Sequence, residues 1–228
     1  FLYGYVDSDI NYSVIDWLFE LKKTLSEIEL KNKIPILVGG SGLYINAVIN
    51  GLVNIPLISE TIKNQSLIKF NKVGIKKFRQ INFQIDPRFI QNNNDKHRLL
   101  RAYGIFLQTK KNISFWYEQP RVKTVNKNNY SFFITSERKS IYKKCEIRFE
   151  DMLAKGAIDE VKKLHNSNID RSLPISKSLG VKWLLSYLDN NISYEEAVKL
   201  SKRDTRRYVK RQFTWFAHNY IPYKIINV

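Results

Sequence analysis

Residues 36–52, ILVGGSGLYINAVINGL, pass from an apolar run through three glycines into a segment of helical character. The run IPILV, residues 34–38, reads as a buried strand. Upstream, YSVIDWLFELKKTLSEIEL spaces Ile15, Leu18, Phe19 and Leu25 along one helical face. Helix, strand, glycine loop and helix in that order place residues 12–51 in a parallel α/β sheet. In such sheets ligands lie beyond the carboxyl ends of the strands, where backbone N–H groups and a helix N-terminus face an anion or a substrate edge. Gly39, Gly40 and Gly42 let the backbone approach such a ligand, and Ser41 supplies a hydroxyl. The loop matches neither G-x-G-x-x-G nor G-x-x-x-x-G-K-[S/T]. A tight turn and a binding site therefore both stay open.

From about residue 53 the pattern changes to polar helical segments with short links, among them SLIKFNKVGIKKFRQ and DKHRLLRAYGIFLQTKKNISFW. Residues 53–129 read as a helical subdomain inserted into a core made of 1–52 and 130–228. The asparagines at 92–94 are a loop signal. A strand is expected in YSFFITSE, residues 130–137, followed by a helix from about Arg138 to Lys155 that Gly156 ends at a C-cap. Ser193 and Glu196 have capping-box spacing and open a last helix that runs to about Asn219.

Thirty-eight Lys and Arg against 21 Asp and Glu give a formal charge of +17. Such a surface attracts polyanions, RNA foremost, although tracts such as NNNDKHR and KNNY also fit a general lysine and asparagine bias. Cys145 is the single cysteine and the three histidines are scattered, which leaves no intrachain disulfide and no metal-ligand spacing. No apolar run has the length of a membrane span and no signal-peptide pattern opens the chain, so a cytoplasmic protein is expected.

Placement of the cations sharpens the choice. In KRDTRRYVKRQFTWFAHN, Val209, Phe213 and Phe216 share a stripe, while Arg203, Arg206, Arg207, Lys210 and Arg211 crowd the other side with no acid after Asp204. Solvated helix faces usually interleave glutamates, so contact with phosphates is expected here. Arg98 and Arg101 in HRLLR share a smaller face of the same kind. Arg148 is placed on the apolar stripe of its helix with Ile141, Cys145, Phe149 and Met152. It reads either as a snorkelling or carboxylate-paired arginine or as a guanidinium that grips an anion in a cleft. Cys145 reads as inert core.

Four blocks together, PILVGGSGLYINAVINGL, DKHRLLRAYGIFLQT, SLGVKWLLSYLDNNISYEEAV and TRRYVKRQFTWF, resemble the tRNA dimethylallyltransferases (isopentenyltransferases) in order and spacing, over nearly the whole chain. The resemblance implies an α/β fold whose parallel sheet is of the P-loop NTPase type, with a helical insertion that contacts tRNA. It also implies transfer of a dimethylallyl group from dimethylallyl diphosphate to N6 of the adenosine 3′ of the tRNA anticodon. Magnesium is expected with the diphosphate, with no protein ligand for it in this sequence. By the same resemblance Gly39, Gly40, Ser41 and Gly42 lie near the target base and Arg148 lies beside the donor diphosphate. His97, Arg98 and Arg101 contact tRNA, as do Lys177, Gly180 and Lys182 and the block holding Thr205, Arg206, Lys210, Arg211 and Gln212.

The sequence departs from the family pattern at several places. Ser41 replaces threonine, and Lys177, Val181 and Lys182 stand where arginine, tyrosine and arginine or lysine are usual. Lysine keeps the charge of arginine but loses its fork. The opening FLYGYVDSDINYSV resembles the family's HLIDIVDPDEEYSA, which lies well inside the usual protein. The first strand, the phosphate loop GPTASGKS and the aspartate that takes the amine proton have no counterpart in these residues. Residues 1–228 alone are therefore expected to be inactive, acting as a monomer or with a separate N-terminal fragment. The alternative function is a remnant that only binds tRNA, and a prenyltransferase for free adenine nucleotides fits the basic helix poorly.

Overall fold

The computed structural model describes residues 1–91, 93–123 and 130–228. In chain order its elements are α1 (Val14–Leu30), α2 (Gly42–Asn50), β1 (Leu52–Val53), α3 (Glu60–Ile85), α4 (Pro87–Ile90), α5 (Lys96–Thr109), α6 (Ile113–Tyr117) and β2 (Arg121–Val122). They continue as β3 (Phe132–Thr135), α7 (Arg138–Ala154), α8 (Ala157–Asn166), a 3₁₀ turn at Pro174–Lys177, α9 (Val181–Leu188), α10 (Tyr194–Asn219) and β4 (Lys224–Asn227). The chain divides into two compact units, one of Phe1–Ile49 with Thr124–Val228 and one of Asn50–Lys123. The expected boundary at 129 and the first of the asparagines at 92–94 lie outside the described residues.

In the first unit β3 and β4 pair in parallel, from Phe132 opposite Lys224 to Thr135 opposite Asn227. Parallel neighbours need a crossover connection, and α7 to α10 form it. The strand expected within 130–137 is β3, and the class is α/β with a small sheet. Val161, Leu184, Leu185 and Ala197 bind α8, α9 and α10 into one apolar cluster. Phe133 of β3 stacks on Phe216 of α10 with ring centroids 5.0 Å apart, which fixes the sheet against that helix.

Helix α1 starts at a reciprocal cap, in which the Ser13 hydroxyl accepts from the Asp16 N–H and the Asp16 carboxylate accepts from the Ser13 N–H. Its buried face is centred on Leu18 and Leu21, so Ile15 and Phe19, expected on the apolar stripe, are exposed. Trp17 meets Tyr44 edge-on at 4.8 Å and ties α1 to α2.

The segment expected as a buried strand, residues 34–38, is irregular and open to solvent, with Ile34 89% and Val38 76% exposed. A strand exists through its ladder partners, and among the described residues none pairs with this segment. Its composition records what it tends to bury without supplying the neighbour.

The second unit packs α3 against α5 through Phe78, Ile90 and Leu99, all fully buried. Helix α3 is kinked where Gly74 takes φ 72°. Buried Asp86 accepts from the N–H of Phe89 and from the N–H and hydroxyl of Ser114, so one carboxylate caps α4 and holds the start of α6. Strands β1 and β2 close the unit as an antiparallel pair.

Candidate nucleic-acid interface

Helix α10 begins where the Ser193 hydroxyl accepts from the Glu196 N–H at 3.2 Å, as its spacing predicts. It buries Ala197, Ser201, Val209 and Phe216, while Phe213 is half-buried under the Arg138 guanidinium. The expected apolar stripe is therefore present.

The cationic side is less open than its sequence implies. Helix α7 contributes the missing acids, Glu146 pairing with Arg206 and Glu150 with Lys202. Asp204 holds Arg203 at 3.1 Å and Arg207 at 3.6 Å. Partners on a neighbouring helix leave no trace in the spacing along α10, which is why the cluster reads as unbalanced there. Among the described residues Lys210 and Arg211 enter no ion pair, and both are exposed, Arg211 lying over the Tyr208 ring at 5.6 Å. The Thr205 hydroxyl donates to the Ser201 carbonyl within the helix.

Asp204 has a further partner that the sequence did not disclose. The Trp183 indole N–H donates to its carboxylate at 2.8 Å, and the ammonium of Lys182 and the guanidinium of Arg203 lie 4.2 and 5.7 Å from that ring. Burial would raise the Asp204 carboxyl, but hydrogen bonds from Trp183 and Arg203 with the charges of Arg203 and Arg207 outweigh it and hold the group below its usual range.

The glycine loop leans on the same helix. None of Gly39, Gly40 and Gly42 has a positive φ, so turn geometry does not demand them. Close approach does at two of the three. A Cβ on Gly40 would stand 2.5 Å from Nε2 of Gln212, and one on Gly42 would stand 2.2 Å from the Trp215 ring. Gln212 Nε2 donates to the Gly40 carbonyl at 2.8 Å, and the Ser41 carbonyl accepts from the Ile45 N–H to open α2.

Lys177 is exposed and bends its ammonium back to the Ser172 carbonyl. Gly180 is buried at φ 86°, a conformation that glycine takes without strain, and a Cβ there would stand 2.9 Å from the Phe149 ring. This turn thus rests on α7 beside Arg148. Arg148 itself is exposed, contrary to its expected place on the apolar face. The buried side of α7 is centred on Phe149, with Ile141 and Cys145 half-buried and Met152 exposed, so the true stripe is rotated away from Arg148. Glu146 and Glu150 are engaged with α10, leaving the Arg148 guanidinium facing solvent.

His97, Arg98 and Arg101 are exposed on α5 in the second unit, with Arg98 donating to Asn93 at 2.9 Å. Among the described residues no three His, Cys, Asp or Glu side chains gather to hold a metal ion, and no helix is long and apolar enough to cross a membrane.

The family model described as IPP transferase matches residues 1–219. The chain belongs to this family. It is 38% identical over 222 residues to a tRNA dimethylallyltransferase of Ehrlichia ruminantium (strain Welgevonden), covering 96% of this chain and 73% of that protein. It is 39% identical over 230 residues to one of Wolbachia sp. subsp. Drosophila simulans (strain wRi), covering 99% and 77%. The solved tRNA isopentenylpyrophosphate transferase of Bacillus halodurans superposes with a TM-score of 0.64 at 30% identity, over 99% of this chain and 69% of its own. A eukaryotic dimethylallyltransferase acting on tRNA shares the fold, with a TM-score of 0.76 at 23% identity over 93% of this chain and 54% of its own.

Proposed function

We propose that the protein transfers the dimethylallyl group of dimethylallyl diphosphate to N6 of the adenosine on the 3′ side of a tRNA anticodon. The observation that carries this reading is the IPP transferase match over residues 1–219, with relatives named tRNA dimethylallyltransferase aligned along nearly the whole chain. In the reaction the C1–O bond of the donor breaks, diphosphate leaves with the electron pair, N6 bonds to C1 and the amine loses a proton. Negative charge grows on the departing diphosphate, where a positioned guanidinium acts on the transition state. Arg148 takes that role, and its exposure on α7, with no ion pair among the described residues, supports it. The loop Gly39–Gly42 lies at the adenosine, which must leave its stack to react. Lys210 and Arg211, with Arg98, Arg101, Lys177 and Lys182, hold the tRNA backbone.

The core is of the phosphate-loop type, with β3 and β4 part of a larger parallel sheet. The solvent-exposed apolar residues at 34–38 support this, because such a segment is suited to a sheet neighbour. A magnesium ion would accompany the diphosphate and help neutralise its charge as it leaves. The place of action is the cytoplasm.

The tRNA surface is tested by the salt dependence of binding. Each phosphate contact contributes roughly 0.7–0.9 to the slope of log K against log salt. Lys210→Gln and Arg211→Gln are expected to flatten that slope by about one such contact each, and Arg206→Gln by less because Glu146 engages it. An unchanged slope in both of the first two variants contradicts the assignment.

A further inference from the structure

We infer that Gln212 and Trp215 are positioning residues that set the glycine loop against α10, so that one helix both meets the tRNA backbone and places the loop at the target base. This rests on the proposed tRNA dimethylallyl transfer. Gln212 and Trp215 are three residues apart and share a helix face. Gln212 donates to the Gly40 carbonyl at 2.8 Å, a contact that spans 172 residues of sequence. Trp215 covers Gly42 so closely that three ring atoms would lie 2.2, 2.4 and 2.6 Å from an added Cβ. At roughly 100° per residue, Arg211 and Lys210 point about 100° and 160° away from Gln212, and both are exposed. The resemblance counts Gln212 among the tRNA contacts, whereas the geometry turns its amide inward to the loop. A half-buried carbonyl that loses its donor is left unpaired, and the loop then gains freedom where the adenosine must be held. The penalty falls on the reaction of bound tRNA rather than on its capture.

The test uses the active enzyme. Gln212→Met keeps the length of the side chain and removes the donor. It is expected to lower kcat roughly tenfold, leave KM for tRNA and the salt slope near wild type, and increase amide hydrogen exchange over residues 39–45. Gly40→Ala is expected to lower kcat more than tenfold, and to cost much less in a Gln212→Ala background, where the colliding amide is gone. A raised KM or flattened salt slope with kcat intact would make Gln212 a tRNA contact and overturn the inference. Unchanged exchange over 39–45 in Gln212→Met would overturn it as well, whatever the activity. Absence of any dimethylallyl transfer by the wild-type enzyme would instead remove the proposed function, leaving exchange and the Gly40–Gln212 pair to decide the loop contact.

Discussion

Replacing Arg148 with glutamine in the active enzyme is expected to lower dimethylallyl transfer by roughly 10²–10³-fold, the usual cost of removing one preorganised charge-stabilising donor. Affinity for tRNA should stay near wild type. Arg148 is exposed on α7 and enters no ion pair among the described residues, and Glu146 and Glu150 are committed to Arg206 and Lys202. Its guanidinium is therefore available to an anion that arrives with the substrate. Arg148→Lys keeps the charge but not the two-pronged fork and should fall between wild type and glutamine. Single-turnover rates at saturating tRNA, with donor concentration varied, separate the chemical step from capture. If tRNA affinity fell while turnover of bound tRNA held, Arg148 would belong to the RNA surface.

Residues 1–228 expressed by themselves are expected to show no detectable transfer to tRNA, even with magnesium. These residues contain no G-x-x-x-x-G-K-[S/T] segment, and the described sheet of the first unit has two strands. A positioned base contributes about 10²–10⁴ in rate and an electrostatic clamp on the leaving group a comparable factor. The apolar residues exposed at 34–38 and the open sheet edges favour aggregation. Co-expression with a segment carrying a phosphate loop and its strand should restore both solubility and transfer. Steady turnover by homogeneous residues 1–228 would mean that they already hold a base and a complete diphosphate site.

Local rules carried the sequence a long way. Ser193 capped α10 and Gly156 followed α7, because caps act within a few residues and are written where they act. Pairing across the fold was not legible. Glu146 lies 60 residues from Arg206, so the basic helix read as unbalanced although Arg206 and Lys202 are met by acids of α7. Arg148 was misplaced because Met152, four residues on, drew it onto the stripe, whereas Ile141, Cys145 and Phe149 form the buried side and Met152 is exposed. The glycine loop posed a choice between turn and site, and the structure adds the tight fit of Gly40 and Gly42 against Gln212 and Trp215. Trp183 and Asp204 gave no signal, since a tryptophan and an aspartate 21 residues apart announce no hydrogen bond.

The central claim is tested most directly by giving the active enzyme labelled dimethylallyl diphosphate with tRNA and a free adenine nucleotide as competing acceptors, then digesting the tRNA and identifying the labelled nucleoside. The account predicts label on N6 of the adenosine adjacent to the anticodon on its 3′ side, with the free nucleotide unlabelled. Label on the free nucleotide, or tRNA that binds tightly and emerges unmodified, would contradict it.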